Sequence, residues 1–586
     1  MKEQNNMNLA QEIKKFFRGD VMDDEETLVA YSHDASLFEV RPQVVVFPRD
    51  SKDISNLVKW VEEHKKENKF LSITARAAGT CMSGGPLNNS IIMDFTKYMN
   101  RVLTVRQATP YNILPKFPGA QYEVAIAGEA TVQPGCFYRD FEEETLKRDL
   151  LLPCYTASKS INAVGGMVGN NSAGELTLRY GKTEDYVKEL KVILSDGNEY
   201  VVRPLTRREL YTKIAEATVE GQIYKQMFEL INEHKMMIDT AKPNVSKNSA
   251  GYGVWNVIQK GKTEAEDMFD LSQVIIGSQG TLGIVTEITW RLVEKPAMSK
   301  LTVIFMNDLA PLGSVVKEIV DTNPTSVESY DDKTFGLAMK FFKDFVKAKG
   351  LWGTITFGLS FIPEFWMVLT GGVPKLILLV EYAGTSEQEI QMKSEELLRK
   401  ISHFNLKTRI TASEQEAKKY WDMRRDSFAL LRKHVQGRRT APFIDDIIVR
   451  PEFLPEFLPK LDVIFKKYPE LVYTIAGHAG NGNFHIIPLM DFNDSKTADI
   501  ISKLSDEVYD LVLSYQGSID AEHNDGIIRT PYLEKMFGEE VYALFGKIKK
   551  IFDPLNIFNP GKKWGGTKDY MLKHLVPPDK HDVHGS

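Results

Sequence analysis

The sequence predicts an α+β protein built of two unlike halves, and three observations predict it. A wholly apolar strand, VVVFP (44–48), runs into an amphipathic helical stretch. Three glycine-rich loops then lie beside strand-like runs. After Pro296 a second pattern begins, in which strands alternate with long helices. A boundary is therefore expected near residue 295.

Taken in order, DSKDISNLVKWVEEHKK reads as a helix with Ser51 as its N-cap. Its Ile54, Leu57, Val58 and Val61 fall at helical spacing. LSITARAAGTCMSGG is a short strand entering the first loop, and IIMDF (91–95) is the next strand. KELKVILSDGNEYVV (188–202) is a hairpin turning at Asp-Gly. LSQVIIGSQGTLGIVTEITWRLVEKP (271–296) reads as two apolar strands around a glycine-rich loop. Beyond 296, LTVIFM and VPKLILLVEYAG are strands. LGSVVKEIVD, 386–403 and SEQEAKKYWDMRRDSFALLRKH are helices. DDIIVRP and VYTIAGH start further strands, and 576–586 is the candidate disordered tail.

The bulk chemistry narrows the function classes. A net charge of −6 offers no basic excess for nucleic acid. Three cysteines without CxxC spacing argue against a disulfide framework or a cysteine-held iron–sulfur cluster. A reducing, cytoplasmic setting is expected, since the N-terminus shows no signal-peptide run. The stretch 351–370, LWGTITFGLSFIPEFWMVLT, has the length of a membrane span (about 20 residues). Pro363 and Glu364 near its middle argue against a span. The preceding Lys- and Phe-rich stretch has the character of an interfacial helix. Segment 333–370 thus reads first as a buried helical pair, with peripheral contact with a membrane surface as the alternative.

The first loop, RAAGTCMSGG (76–85), holds neither GK[ST] nor GxGxxG. What remains is a run of small residues whose N–H groups can form an anion-binding nest. The second loop (156–174) and the third (277–287) have the same character, which suits backbone packed against a flat ligand. In GHAGNGNFHIIPL (477–489) a turn-forming AGNGN joins two apolar strands, so His478 and His485 are expected side by side at its base. Glu522 and His523 are adjacent in SIDAEHNDG, and on an extended strand they would point opposite ways. Two His and one Glu suit Zn²⁺ or Mn²⁺ with open positions. Each histidine could instead only bond backbone in a loop.

These motifs together carry a resemblance. YSHDASLFEVRPQVVVFPRD, RAAGTCMSGG, AVGGMVGNNSAGELTLRYG and GSQGTLGIVTEI resemble the FAD-binding domain of the vanillyl-alcohol oxidase/p-cresol methylhydroxylase superfamily. GHAGNGNFH, AEHNDG and FDPLNIFNPGK are similar to its branch of D-lactate, glycolate and D-2-hydroxyglutarate dehydrogenases. The resemblance spans about residues 30–565. It implies a two-subdomain PCMH-type FAD-binding domain over 1–295. An α+β substrate or cap domain (296–555), an antiparallel sheet covered by helices, would follow. Residues 556–586 would return to the FAD domain and form the tail.

The same resemblance implies site roles. Arg76, Ala77, Ala78, Gly79, Thr80, Ser83 and Gly84 would cradle the FAD pyrophosphate, although relatives carry more glycine where Ala77 and Ala78 stand. Ala157, Ser158, Gly165, Gly166, Asn170 and Ser172 would line the flavin. Pro134, Gly135, Ile284, Val285 and Asn559 would be further contacts. No histidine stands in the first loop to tether a flavin, so the FAD is expected to be non-covalent. His478, His485 and Glu522 would ligate a divalent metal, Zn or Mn, and His523 would be the catalytic base. Arg424, in a W-x-x-R pattern beside Arg425, would clamp the substrate carboxylate. Two departures stand out: GNG replaces GDG, and AEHNDG replaces GEHG.

The implied reaction is oxidation of a D-2-hydroxy acid to the 2-oxo acid, with hydride passing to flavin N5. Ile444 stands where hydroxyglutarate-type relatives carry a basic residue, and Phe428 where a small hydroxyl residue is expected. D-lactate is therefore expected ahead of D-2-hydroxyglutarate or glycolate. Electrons would leave to an external acceptor: a quinone, a cytochrome, an electron-transfer flavoprotein or a separate iron–sulfur subunit. The rival reading is a non-redox alkyl-glycerone-phosphate synthase-like transferase on the same fold.

Overall fold

The computed structural model describes residues 9–116, 120, 122–261, 263, 266–334, 372–434 and 437–577, with backbone alone for 425–434. Most of the candidate membrane segment 333–370 therefore lies outside the described residues, as do the Arg425 and Phe428 side chains and most of the tail. Among the described residues no helix is long and apolar enough to cross a membrane.

The N-terminal half is built on two main sheets. The first holds four strands in the order Asp20–Met22, Val44–Phe47, Ile91–Asp94, Ile73–Arg76. The last three run parallel. Parallel strands are covered on both faces, which is why VVVF is buried at every position. Helix Ser51–His64 supplies cover with Ile54, Leu57, Val58 and Val61. Its N-cap is Asp50 rather than Ser51, because the Asp50 carboxylate accepts from the Lys52 and Asp53 N–H groups.

The second main sheet is antiparallel, in the order Val102–Ile113, Val124–Val132, Ile284–Glu294, Val187–Ile193, Glu199–Val202. Its last two strands are the expected hairpin, with Gly197 at φ +69°. The run 271–276 is not a strand. It forms the short helix Ser272–Ile275, whose start Asp270 ties down by accepting from the Ser272 N–H and hydroxyl. A brief, fully buried apolar run carries no periodicity to separate the two states.

The chain leaves this sheet at Glu294 and enters another at Met298–Met306. That sheet is antiparallel, in the order Lys407–Ile410, Met298–Met306, Leu376–Gly384, Ser326–Asp331, Val472–His478, Asn483–Met490, Arg439–Thr440. Strand alternation divides its two faces. Ile304, Met306, Leu378, Phe484 and Ile486 pack under the helices Leu312–Val320, Glu387–Ile401, Leu454–Phe465 and Thr497–Ser514. Leu301, Val303, Leu379 and Ala476 look the other way, toward Tyr420, Trp421 and Met423 of helix Glu414–His434. The C-terminal run then returns to the first sheet, where the Ile73 N–H donates to Ile557 O and the Asn559 N–H to Ile73 O.

The turn between the two histidine strands holds a short 3-10 segment, Ala479–Asn481, and then Gly482 at φ +71°. A Cβ on Gly482 would run into the Val449 carbonyl. Gly482→Ala is expected to lower stability by at least about 2 kcal/mol, from the left-handed backbone plus the clash. A denaturant midpoint indistinguishable from wild type would refute that account of the turn.

Candidate active site

One cleft of about 660 Å³ opens between the glycine loops of the N-terminal half and the histidine face of the cap sheet. That lies within the range of cofactor pockets, about 300–1,000 Å³. Arg76, Ala77, Ala78, Gly79 and Thr80 of the first loop line it. So do Pro134, Ala157, Ser158, Gly165, Gly166, Asn170, Ser172 and Val285. Gly79 sits at φ +68°, where a side chain would be strained.

Ser83, Gly84, Gly135, Ile284 and Asn559 lie behind this wall rather than on it. Ser83 is buried near the His523 carbonyl (3.4 Å), and Ile284 packs in the core under the first sheet. Gly135 packs against the Phe95 carbonyl, and a Cβ on Gly84 would meet Phe38 and Ile527. The Asn559 amide donates to Gly85 O (3.0 Å) and Gln279 O (2.7 Å), clamping the first and third loops together. Cys81, Met82 and Gln279 also line the cleft. They stand inside the quoted motifs but carry no periodic or chemical signal of their own.

At the other end stand His478, His485, Glu522, His523 and Arg424. Strand register sets the first pair: His485 lies opposite Ala476, and His478 opposite Asn483. Positions 476, 478 and 485 thus share a face, and the two rings lie 5.2 Å apart at 84°. Their Nε2 atoms converge on one oxygen, Glu522 Oε1, at 3.3 Å from His478 and 3.1 Å from His485. Each Nδ1 meets a second buried carboxylate: His478 pairs with Glu328 at 2.6 Å and His485 with Asp445 at 3.2 Å. Arg424 closes on the other Glu328 oxygen, and fully buried Lys247 meets Glu522 Oε2 at 3.1 Å.

Glu522 and His523 do not lie on a strand, so the opposite-face expectation fails. Residues 521–523 form a bend because one oxygen, Asp446 Oδ2, accepts the backbone N–H of Ala521 (3.0 Å), Glu522 (2.7 Å) and His523 (2.7 Å). Both side chains then face the cleft. The sequence departures have structural partners. The Asn481 amide donates to Ser246 Oγ (2.9 Å), and the Asn524 amide to Asn170 O (3.1 Å) and Gly277 O (2.9 Å). Neither asparagine lines the cleft.

The electrostatics follow from this crowding. Burial alone would raise Glu522, but Lys247, His478 and His485 hold it well below the usual carboxylate range. Asp445 is likewise pulled down against its burial by His523 and His485. Burial alone would lower His485, yet Asp445 and Glu522 outweigh it and raise the imidazole to about 10. His523 is also raised, by Asp446 and Asp445 against its burial. The imidazoles therefore sit in a field of buried negative charge, which a divalent cation would offset.

Ligand atoms of Asp446, His485, Glu522 and His523 all lie within 4.8 Å of one another. That distance grouping includes Asp446 and His523 and leaves out His478. The hydrogen bonds favour the convergent set His478, His485 and Glu522. Asp446 is already committed to three N–H groups through Oδ2 and to the Asn483 amide through Oδ1. Each of the two histidines, by contrast, has its second nitrogen on a carboxylate, the usual outer arrangement of metal-binding imidazoles.

The comparisons give this architecture its class. Residues 42–203 match the FAD binding domain family, and residues 295–563 match the C-terminal domain of FAD linked oxidases. The chain belongs to the FAD-linked oxidases. It is 26% identical to the D-2-hydroxyglutarate dehydrogenase of Escherichia coli K12, over 95% of this chain and 51% of that one. It is 25% identical to glycolate oxidase subunit GlcD of Bacillus subtilis, over 91% and 92% respectively. It is also 25% identical to the mitochondrial D-lactate dehydrogenase [cytochrome] of Arabidopsis thaliana, over 89% and 73%. The chain spans about half the length of the D-2-hydroxyglutarate dehydrogenases of Escherichia coli, Pseudomonas putida and Pantoea ananatis, and 96% of that of Stutzerimonas stutzeri. In fold it is similar to 4-ethylphenol oxidase from Gulosibacter chungangensis, with TM-score 0.64 at 13% identity over 97% of this chain and 99% of that one.

Lys247 was not legible as a site residue, since it lies 275 positions from Glu522. Lys247→Met is expected to cost about 3–5 kcal/mol, the usual penalty for stripping one partner from a buried ion pair. Chemical denaturation measures it, and a loss under about 1 kcal/mol would show that Glu522 needs no cation there.

Proposed function

We propose that this chain oxidises a D-2-hydroxy acid to its 2-oxo acid with non-covalently bound FAD, and passes the electrons to an external acceptor. The observation that carries the reading is the convergence of three histidines, Glu522 and Arg424 at one end of a cleft whose other end is the FAD loops. Bound FAD supplies the hydride acceptor. A divalent cation, Zn²⁺ or Mn²⁺, held by His478, His485 and Glu522 would supply Lewis acidity toward the substrate's oxygens.

The chain's own residues do the rest. His523 takes the hydroxyl proton, and the carboxylates behind it make it a stronger base than a free imidazole. Arg424 binds the substrate carboxylate in a geometry that its pairing with Glu328 fixes.

We take D-lactate as the substrate. Ile444 no longer supports that choice, because it lies fully buried in the cap core and outside the cleft wall. The choice rests instead on the described wall beside the histidines, where Thr334, Thr474, Ala476 and Ile487 offer a second carboxylate no cation. D-2-hydroxyglutarate is the second reading, favoured by the names of several relatives that match most of this chain. The acceptor class is a quinone, a cytochrome, an electron-transfer flavoprotein or a separate iron–sulfur subunit.

The test is anaerobic absorbance near the flavin band after mixing with D- and L-lactate, D-2-hydroxyglutarate or glycolate. D-lactate is expected to bleach the flavin fastest and L-lactate not at all. Acid precipitation is expected to release the flavin. Bleaching by D-2-hydroxyglutarate alone would transfer the assignment to that acid, and no bleaching by any of them would favour a non-redox transferase. His478→Ala is expected to lose bound metal and at least about 100-fold in rate together. Full activity in that variant would remove the ligand assignment.

A further inference from the structure

The reading above gives the buried carboxylate of Asp445 only a share in the field around the imidazoles. We propose that Asp445 is a positioning residue that sets the tautomer of His485 and His523 at once, an inference that rests on the functional reading just given. Its side chain is fully buried, with Oδ1 hydrogen-bonded to His485 Nδ1 at 3.2 Å and Oδ2 3.0 Å from His523 Nδ1, an ion-pair approach not aligned as a hydrogen bond, in which neither atom has another hydrogen-bond partner. The two rings stack 5.0 Å apart at 21°, and both turn Nδ1 toward Asp445. Their Nε2 atoms lie 3.1 Å and 3.9 Å from Glu522 Oε1.

A carboxylate only accepts hydrogen bonds. Facing both Nδ1 atoms, it holds an N–H on each, so that Nε2 is the nitrogen that gives up or lacks a proton. One lone pair is then available to a cation and the other to a substrate proton. The device is a single side chain, so ligand and base are set together. Asp445 is itself held in place, because Arg529 donates to its carbonyl at 2.6 Å.

An amide cannot serve both rings. Asn has one accepting oxygen and one donating nitrogen. One imidazole would therefore turn its Nδ1 lone pair to the amide and carry N–H at Nε2, where it neither ligates nor accepts. Loss of the orienting carboxylate in a hydrolase triad acts by this route and costs about 10⁴-fold. Orienting partners of metal-bound histidines cost about 10- to 100-fold in affinity.

The experiment compares full-length wild type, Asp445→Asn and Asp445→Glu, each reconstituted with FAD. Three readouts are taken: flavin content, Mn²⁺ affinity by chelator competition, and the rate and KM of anaerobic flavin reduction. Asp445→Asn is expected to keep its flavin and its KM. It should lose at least about 100-fold in rate, and about tenfold or more in Mn²⁺ affinity. Asp445→Glu should recover part of both. Wild-type rate and affinity in Asp445→Asn would overturn the proposal. So would loss of flavin from both variants, which marks a merely structural role. A wild type that binds Mn²⁺ but is bleached by no 2-hydroxy acid would sink the functional reading, leaving the affinity comparison to judge Asp445. A wild type that neither binds Mn²⁺ nor bleaches would overturn both.

Discussion

The site hangs on Asp446. Its backbone sits at φ +67°, and one of its oxygens collects three consecutive N–H groups while the other takes the Asn483 amide. A fully buried carboxylate is costly unless its oxygens are satisfied. Here they are, and burial's upward push on its pKa is outweighed, His523 being the largest opposing influence. The consequence is geometric. An extended 521–523 would send Glu522 and His523 to opposite faces, whereas the bend brings both into the cleft beside the two strand histidines.

That bend is also the seam between the halves. Asn524 donates to the second and third glycine loops, and Asn481 donates to Ser246. Lys247 reaches Glu522 from the N-terminal half, and Lys563 meets Asp525 at 2.6 Å with both groups fully buried. The wall that lines the FAD loops and the wall that holds the imidazoles are thus tied by hydrogen bonds rather than merely packed. The departing residues Asn481 and Asn524 fall on these ties and outside the cleft lining.

Much of this was legible in the chain. The apolar run 44–48, the amphipathic helix after it and the Asp-Gly hairpin follow from periods of two and 3.6, which act over a few residues. The turn between His478 and His485 is equally local, and strand register then fixes the ring contact. The short helix Ser272–Ile275 and the Asp50 cap were misread where a buried apolar run or two neighbouring polar residues gave no local distinction. Ile444 bears on substrate choice only through the family resemblance, and its side chain belongs to the core.

The sequence alone determined the strands, the turns and the residue types that converge on a flavin cleft, because backbone preference and side-chain chemistry are written locally. Only the tertiary structure decided which carboxylate faces which imidazole. Glu328 comes to His478 across 150 positions, Asp445 to His485 across 40, and Lys247 to Glu522 across 275. No local pattern encodes such pairings. They exist because buried charges must find partners, within the cap for Glu328 and Asp445 and across the two halves for Lys247.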